Sequence, residues 1–287
     1  MGVWADRVVT PTPATPATAE AAMAVEGKTL RGAQKPGAPG TPRLSVLAHR
    51  LGLTLMQQAV AATTNESKEV ETVFSQIVRT GRVVTREALL TQRQVAQTIV
   101  DAGGDYVMIV KEHQPQLKAD IALVFTLPPA GDRQESVRTV AVGHGRIATR
   151  HRTTREALGG SSDGPGLAHV LAVGRHVLTK QTGTERVEVV SGVTSLSPER
   201  ATPGRVLELV RGPWAIEHTS HWVRDVTCDA DRSQGRCGHL PPVMAALRHT
   251  AMGLLRWAGQ SNMAAACRRL AAQPAQALAL IGIAFEN

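Results

Sequence analysis

The stretch GRVVTREALLTQRQVAQTIVDAGGDYVMIVK, residues 81–111, decides the fold class of this chain of 287 residues. It begins with a short β-branched run at 83–85, continues with apolar residues at helical spacing over about 91–100, and ends in the apolar run YVMIV. Two glycines, at 103–104, separate the helix from the second run. A strand, a helix and a strand in this order predict parallel pairing in a mixed α/β sheet flanked by helices.

The segments before this unit predict three more strands and a helix. The apolar run at 22–26 predicts a strand whose last residue is the acid Glu26. After the turn KPGAPGTP, the runs RLSVLAHR (43–50) and LTLMQQAV (53–60) predict a β-hairpin. In NESKEVETVFSQIV (65–78), apolar residues at helical spacing predict a helix.

The segments after it predict a β layer and then helices. Residues 136–196 contain strand-like runs separated by Gly-rich turns, which predicts an antiparallel β insertion. Helix returns within 197–226, where Ser197 is a candidate N-cap and Pro198 the first helical residue. The amphipathic stretch PPVMAALRHTAMGLLRWAG, residues 241–259, predicts a last helix packed on the body of the protein.

These changes predict four segments along the chain. Residues 1–22 form a low-complexity lead-in rich in Pro, Thr and Ala, without the basic and apolar regions of a signal peptide. The first part of the mixed α/β core spans 23–135, and the β insertion spans 136–196. The C-terminal helical part of the core spans 197–287.

The composition favours an anionic partner. The chain has 32 Lys and Arg against 24 Asp and Glu, a formal net charge of +8, which suits nucleic acid or an anionic membrane surface but also a basic protein with neither partner. No run approaches 18 apolar residues, so no membrane span is predicted. Three cysteines without a CxxC pair predict a reducing compartment, and Cys228, Cys237 and His239 lack a recognised zinc spacing.

Three acids stand at the ends of predicted elements. Glu26 ends the first strand, Glu87 follows the strand at 83–85, and Glu217 lies on the late helix. The carboxyl ends of neighbouring strands converge at one edge of such a sheet, and a helix crossing that edge can add a third group. Carboxylates gathered there repel each other unless a hard cation lies between them, which predicts a Mg²⁺ site. Solvated acids at strand ends remain the alternative that spacing leaves open.

Five phrases in order carry a family resemblance: AVEGKTLRG, VVTREALLTQ, GGDYVMIVKEHQPQL, GHGRIATR and RGPWAIEHTSHWVRDVTCDADRSQGR. Together they resemble the bacterial insertion-sequence DDE transposases of the branch that contains the H-repeat-associated proteins. The resemblance covers the chain from about residue 23 to its C-terminus. It implies a ribonuclease H-like core with a β insertion before the last catalytic helix. It also implies DNA cleavage and strand transfer with two Mg²⁺ or Mn²⁺ ions.

The resemblance assigns roles to individual residues. Glu26, Glu87 and Glu217 are implied as the catalytic and metal-binding acids. The residues implied as contacts to DNA phosphates, with a solvated basic face as the alternative, are Lys28, Arg31, Arg224, Arg232 and Arg236. The implied partner is double-stranded DNA, both element ends and target, and the implied location is the nucleoid in the cytoplasm. Transposases commonly act as paired subunits, so a homodimer is one expected assembly.

The chain also departs from the family pattern. Glu26 and Glu87 stand where the family has aspartate, and Ala148 and Ala230 stand where it usually has an acid. A glutamate is one methylene longer, whereas Mg²⁺ requires oxygens at about 2.0–2.1 Å in a near-octahedral shell. The departures, with a lead-in shorter than that of relatives, favour a decayed or repurposed copy. The alternative function is therefore a catalytically silent DNA-binding protein derived from a transposase.

An aromatic and histidine cluster surrounds the third acid. Trp214 and Trp222 flank Glu217, His218 and His221 in a chain with only 3% aromatic residues. The tryptophans are predicted as packing anchors that stiffen the helix, with base stacking as the alternative. The histidines are predicted either to touch DNA, to orient the acid, or to pack at the edge of the core.

Overall fold

The structure is a computed structural model that describes residues 22–29, 42–49, 52–59, 66–78, 80–86, 93–112, 114–127, 135–143, 145–156, 164–216, 222–233, 238 and 240–283. Contacts divide the chain into two compact units, the first made of Met1–Glu69 and Pro213–Asn287 and the second of Val70–Gly212. The described elements, in chain order, are β1 (Ala22–Thr29), β2 (Pro42–Ala48), β3 (Leu53–Ala59), α1 (Glu66–Ile77), β4 (Val83–Arg86), α2 (Arg93–Asp101), β5 (Asp105–Val110), α3 (Pro115–Thr126), β6 (Glu135–Gly143), β7 (Arg146–Glu156), β8 (His169–Thr179), β9 (Glu185–Thr194), α4 (Pro203–Ile216), a π-helical turn (Val223–Thr227), α5 (Leu240–Trp257), α6 (Met263–Ala272) and α7 (Pro274–Leu280).

In the first unit, β1, β2 and β3 form an antiparallel sheet in the order β3-β2-β1. The pairing of β2 with β3 confirms the predicted hairpin. Gly52 between them has a φ of +58°, a conformation that glycine adopts without steric cost. The Arg256 side chain of α5 lies over Gly52 and donates from Nη1 to its carbonyl oxygen. The hairpin is thereby tied to a helix from the other end of the chain.

Strand β1 is longer than its sequence pattern predicted. The strand was expected to end at Glu26, but it continues to Thr29, because residues 27–29 pair with residues 42–44 of β2. A glycine weakens a strand, but pairing with a neighbouring strand overrides that local preference. Glu26 therefore lies inside a strand and not at its end.

In the second unit, the strand, helix and strand of the opening stretch form as predicted. β4 and β5 are parallel, with Val83 opposite Asp105 and Arg86 opposite Met108. Both strands bury apolar side chains. The helix between them, α2, is described from Arg93 and packs against β5. Its buried face consists of Val95, Ala96 and Ile99.

Strands β6 to β9 of the second unit form the antiparallel layer that the sequence predicted at 136–196. β9 pairs antiparallel with β5, and the sheet continues through β8, β7 and β6, so the order is β4-β5-β9-β8-β7-β6. Parallel and antiparallel pairs thus occur in one sheet with helices packed on it. This confirms the mixed α/β class predicted for a ribonuclease H-like core.

The late helix, α4, begins at Pro203, whereas the sequence predicted Pro198 as its first residue. Residues 198–200 form a turn instead. Arg200 holds this turn to the start of β5, since its Nη1 lies 2.6 Å from Oδ2 of Asp105. Proline still occupies the first helical position, where its missing N–H costs nothing, but a later proline fills that role.

Helix α5 confirms the amphipathic helix predicted at 241–259. One face packs against β3, and the buried residues are Ala245, His249, Met252, Gly253 and Leu255. Two shorter helices, α6 and α7, follow it. Within the described ranges, none of the helices combines the length and the hydropathy that crossing a bilayer requires.

Gly192 of β9 is expected not to tolerate alanine. A Cβ there would lie 2.6 Å from the carbonyl oxygen of Met108 and 2.9 Å from Cδ1 of Leu171. Gly192→Ala should therefore lower the free energy of unfolding by about 2 kcal/mol, measured by urea unfolding. Gly174→Ala is the matched control, because its Cβ would lie 3.6 Å from the nearest atom, the carbonyl oxygen of His151. Equal stability of the two variants would contradict the prediction.

Candidate active site

Glu26, the first predicted acid, occupies β1 opposite a polar residue. Its register partner on β2 is Ser45, and Ser45 pairs in turn with Gln57 on β3, so the three residues form one cross-strand row on one face of the sheet. Ser45 is 3% exposed, and its Oγ accepts a hydrogen bond from Nε2 of Gln57 at 3.2 Å. The Glu26 side chain itself lies outside the described residues, so its contacts stay a prediction.

Lys28 lies two positions beyond Glu26 on β1 and therefore on the same face of the sheet. Its register partner on β2 is Arg43. Two cations placed directly opposite each other on neighbouring strands repel, and an anion bound between them would relieve that repulsion. The backbone thus places a basic pair of positions beside the first predicted acid. The side chains of the pair lie outside the described part of the chain.

The other two acids lie just past the described ends of two elements. β4 ends at Arg86, before Glu87, and α4 ends at Ile216, before Glu217. Further predicted residues outside the description are Arg31, Arg236, His218 and His221. The convergence of the three acids therefore stays a prediction. Among the described residues, no group of three His, Cys, Asp or Glu side chains is arranged to hold a metal ion.

Arg224 is buried in the π-helical turn, although it was predicted to contact a phosphate. Its side chain is 3% exposed, and its Nη2 lies 2.6 Å from Oδ1 of Asp225. The same oxygen accepts a hydrogen bond from Nε of Arg224 at 2.7 Å. A guanidinium held in this way is not presented to a phosphate. In this conformation, Arg224 stabilises the turn through an ion pair.

Arg232 and Trp222 are exposed side chains next to the same turn. The Arg232 side chain is 85% exposed, and its Nε lies 3.8 Å from Oδ1 of Asp229, a solvent-screened pair of small energetic value. A phosphate can therefore reach Arg232. Trp222 is 57% exposed, which does not fit the predicted role of a packing anchor. Trp214 lies in α4, and its side chain is not among those described.

The π-helical turn rests on a small apolar cluster in the first unit. Its buried members are Val223, Met252, Leu255, Met263 and Ala266. Cys228 and Cys267 are free thiols packed against it. Burial, and then the neighbouring Cys267, raises the pKa of the Cys228 thiol. Because metals bind the thiolate, a raised pKa disfavours metal binding, and Cys228 serves packing.

The sequence patterns did not single out Ser45, Gln57 or Arg43. Each of them is a polar or basic residue inside an apolar strand. Only the strand register shows that Ser45 and Gln57 lie in one row with Glu26 and that Arg43 lies opposite Lys28. One atom of the first row is notable. Oε1 of Gln57 is buried and has no hydrogen-bond partner in the part of the chain that the structure describes.

Comparisons with known proteins cover most of the chain. Residues 10–240 match a family model described as a transposase DDE domain. YncI of Escherichia coli O157:H7 is 25% identical over 242 residues, which covers 82% of this chain and 61% of YncI. The H repeat-associated YhhI of Escherichia coli K12 is 23% identical over 244 residues, which covers 81% of this chain and 63% of YhhI. The names of both relatives assign them provisionally as transposases.

One solved structure also aligns with the chain. It is a piggyBac transposase synaptic complex with hairpin DNA, with a TM-score of 0.47, 9% identity, and coverage of 84% of this chain and 47% of that one. The chain spans about three fifths of the length of the curated relatives that it matches.

Proposed function

Because the chain belongs to the transposase DDE domain family, we propose that it is the DNA transposase of an insertion sequence, which cleaves DNA strands and transfers them. The observation that carries the proposal is the family match, which extends over residues 10–240 and so includes Glu26, Glu87 and Glu217. The proposed partner is double-stranded DNA, both the element ends and the target. The proposed working form is a homodimer at the nucleoid.

The three acids are proposed to hold two divalent ions, Mg²⁺ or Mn²⁺. Carboxylate oxygens are the donors that hard cations prefer, and carboxylates brought together repel without one. The row around Glu26 fits a hydrated cation, because Ser45 supplies a buried hydroxyl and Gln57 a buried oxygen that lacks a partner among the described residues. When bound, the ions supply Lewis acidity at the scissile phosphate and at the leaving oxygen.

Basic residues are proposed to orient the DNA. Lys28 and Arg31 follow the first acid, and Arg232 and Arg236 follow the third, so two of the three acids are followed by these cations in the sequence. Contacts to phosphates on both sides of the scissile bond would fix the strand for in-line attack. Arg224 contributes indirectly, because its ion pair stabilises the turn that precedes Arg232.

A second candidate function follows from the lengthened acids. Glu26 and Glu87 are each one methylene longer than aspartate, and Mg²⁺ tolerates little change in ligand position. A catalytically silent protein that occupies element ends would need only the basic charge, which is +8 for the whole chain. The two candidates differ in whether DNA is cut.

Nicking of a supercoiled plasmid that bears the element ends tests the proposal. With Mn²⁺ or Mg²⁺ we expect nicked and linear products, and in EDTA we expect none. Restoring aspartate at both Glu26 and Glu87 should raise the rate if side-chain length limits the site. Absence of nicking by the original chain and by the restored variant would refute the catalytic proposal. Binding that persists in EDTA and falls steeply with salt would then support the silent DNA-binding protein.

A further inference from the structure

One face of the sheet β6–β9 carries neighbouring arginines. Arg150 of β7 lies directly opposite Arg175 of β8, and the same cross-strand row continues to Thr139 on β6 and Glu188 on β9. Residues in register on adjacent strands point to one face and lie close together. Two guanidinium groups therefore occupy the middle of this row.

The start of helix α4 contacts the same face, and the helix carries a third arginine. Arg152, two positions from Arg150 on β7, donates from Nη1 to the carbonyl oxygen of Thr202 at 3.1 Å, where α4 begins. Farther along α4, Arg211 is near enough to act on Arg150. Burial, and then the charges of Arg211 and Arg175, lower the pKa of Arg150. Arg150, Arg175 and Arg211 are the arginine cluster.

Glu188, the acid in this row, already forms ion pairs with two arginines. Oε2 of Glu188 lies 3.7 Å from Nη1 of Arg175, and Oε1 pairs with Arg186. Among the described residues, neither Arg150 nor Arg211 makes an ion pair. The cluster is also open to solvent, since the Arg175 side chain is 32% exposed and Arg211 is exposed. Positive charge on this face therefore exceeds the negative charge that the row supplies.

This arrangement suits an anion with several oxygens. Like charges directly opposite each other on paired strands destabilise a sheet, and a bound anion removes that cost. The planar guanidinium matches the oxygens of a phosphate in a bidentate way.

We propose that the arginine cluster binds the phosphodiester backbone of duplex DNA through residues distinct from the predicted acids. The choice of DNA among polyanions rests on the proposed function. The residues themselves are new, since the predicted phosphate contacts lie elsewhere in the chain. The β insertion would act as a second clamp on the DNA, and this clamp needs no divalent ion.

DNA binding measured in EDTA over a range of salt concentrations tests this site. In the triple variant Arg150→Gln, Arg175→Gln, Arg211→Gln, the slope of log affinity against log salt should fall in magnitude by about 3, or about 1 per arginine. Near 0.1 M salt the affinity should fall at least about 100-fold. Arg138→Gln is the control for the loss of a single arginine charge, because this residue lies on the opposite face of β6. Its affinity should stay within about threefold of the original.

Glu188→Gln provides a readout in the other direction. Loss of this carboxylate removes one negative charge that pairs with both Arg175 and Arg186, so DNA affinity should rise about tenfold. Because this variant is expected to gain affinity, a loss of binding through misfolding cannot imitate its effect, and the test stays valid if the triple variant is unstable.

The outcomes separate this inference from the proposed function. An unchanged salt slope in the triple variant, or an unchanged affinity of Glu188→Gln, would overturn the arginine site while plasmid nicking by the original chain still supported the transposase. Failure of the original chain to bind duplex DNA at any salt concentration would overturn both.

Discussion

Glu217→Gln is expected to slow plasmid nicking at least about 1,000-fold, which corresponds to about 4 kcal/mol of activation free energy. The amide keeps the size of the side chain but loses the charge with which a carboxylate binds a divalent ion. Because the ions would contribute several kcal/mol to the stabilisation of the transition state, the loss should persist at saturating Mn²⁺. Quantifying nicked plasmid against time on a gel measures the effect.

Glu208→Gln is the control for that loss. Glu208 lies on α4, its side chain is 73% exposed, and it pairs with Arg205 at 3.3 Å. The substitution makes the same chemical change on the same helix, so nicking should stay within about twofold of the original rate. Nicking at the original rate by Glu217→Gln would remove Glu217 from the proposed metal-binding set.

Asp105→Ala is expected to lower the free energy of unfolding by about 3 kcal/mol. The Asp105 carboxylate, 15% exposed, pairs with Arg200 at 2.6 Å and accepts a hydrogen bond from Oγ of Ser195 at 2.9 Å. That Oγ in turn accepts from the backbone N–H of Tyr106 at 3.0 Å. Removing the carboxylate takes a counter-charge from Arg200 and loosens the turn before α4. Urea unfolding followed by circular dichroism measures the loss.

Asp101→Ala is the matched control in the same part of the chain. Asp101 lies at the end of α2, exposed to solvent, and accepts a hydrogen bond from Nε2 of Gln97 at 2.8 Å. Its removal should change stability by less than about 0.5 kcal/mol. If the two alanine variants lost equal stability, the anchoring role of Asp105 would be refuted.

Elements with strong local signals were predictable from the sequence. The two apolar runs around α2 are short and rich in β-branched residues, and glycines at 103–104 end the helix between them. The hairpin of β2 and β3 has strands of equal length around a turn that needs glycine at 52. In both cases, pattern and tertiary structure favour the same conformation, so local reasoning sufficed.

Other elements depended on contacts that the sequence pattern does not contain. The end of β1 was misplaced because the strand partner at 42–44 outweighs the glycine at 27. The start of α4 was misplaced because Ser197 and Pro198 resemble a helix start, while Arg200 draws the segment into a turn against β5. α3 received no individual prediction, because its apolar residues are spread around the helix and do not form one face. α6 and α7 received none either.

The two candidate sites differ in how well they could be predicted from the sequence. Glu26, Glu87 and Glu217 were selected by resemblance, since acids at strand ends are common and spacing alone does not distinguish a metal site. The arginine cluster was not predicted from the sequence. Arg150 and Arg175 come from different strands, and only the register of β7 with β8 shows that they are neighbours.

The first unit joins residues from both ends of the chain, which has a consequence for synthesis on the ribosome. β1–β3 emerge early, but α5, which packs against β3 and whose Arg256 holds Gly52, follows about 180 residues later. At roughly 5–20 residues per second, about ten to forty seconds pass between the synthesis of β3 and the synthesis of the helix that packs against it. The continuous middle unit can fold during that interval. We therefore expect the N-terminal strands to depend on chaperones that shield apolar segments until translation is complete.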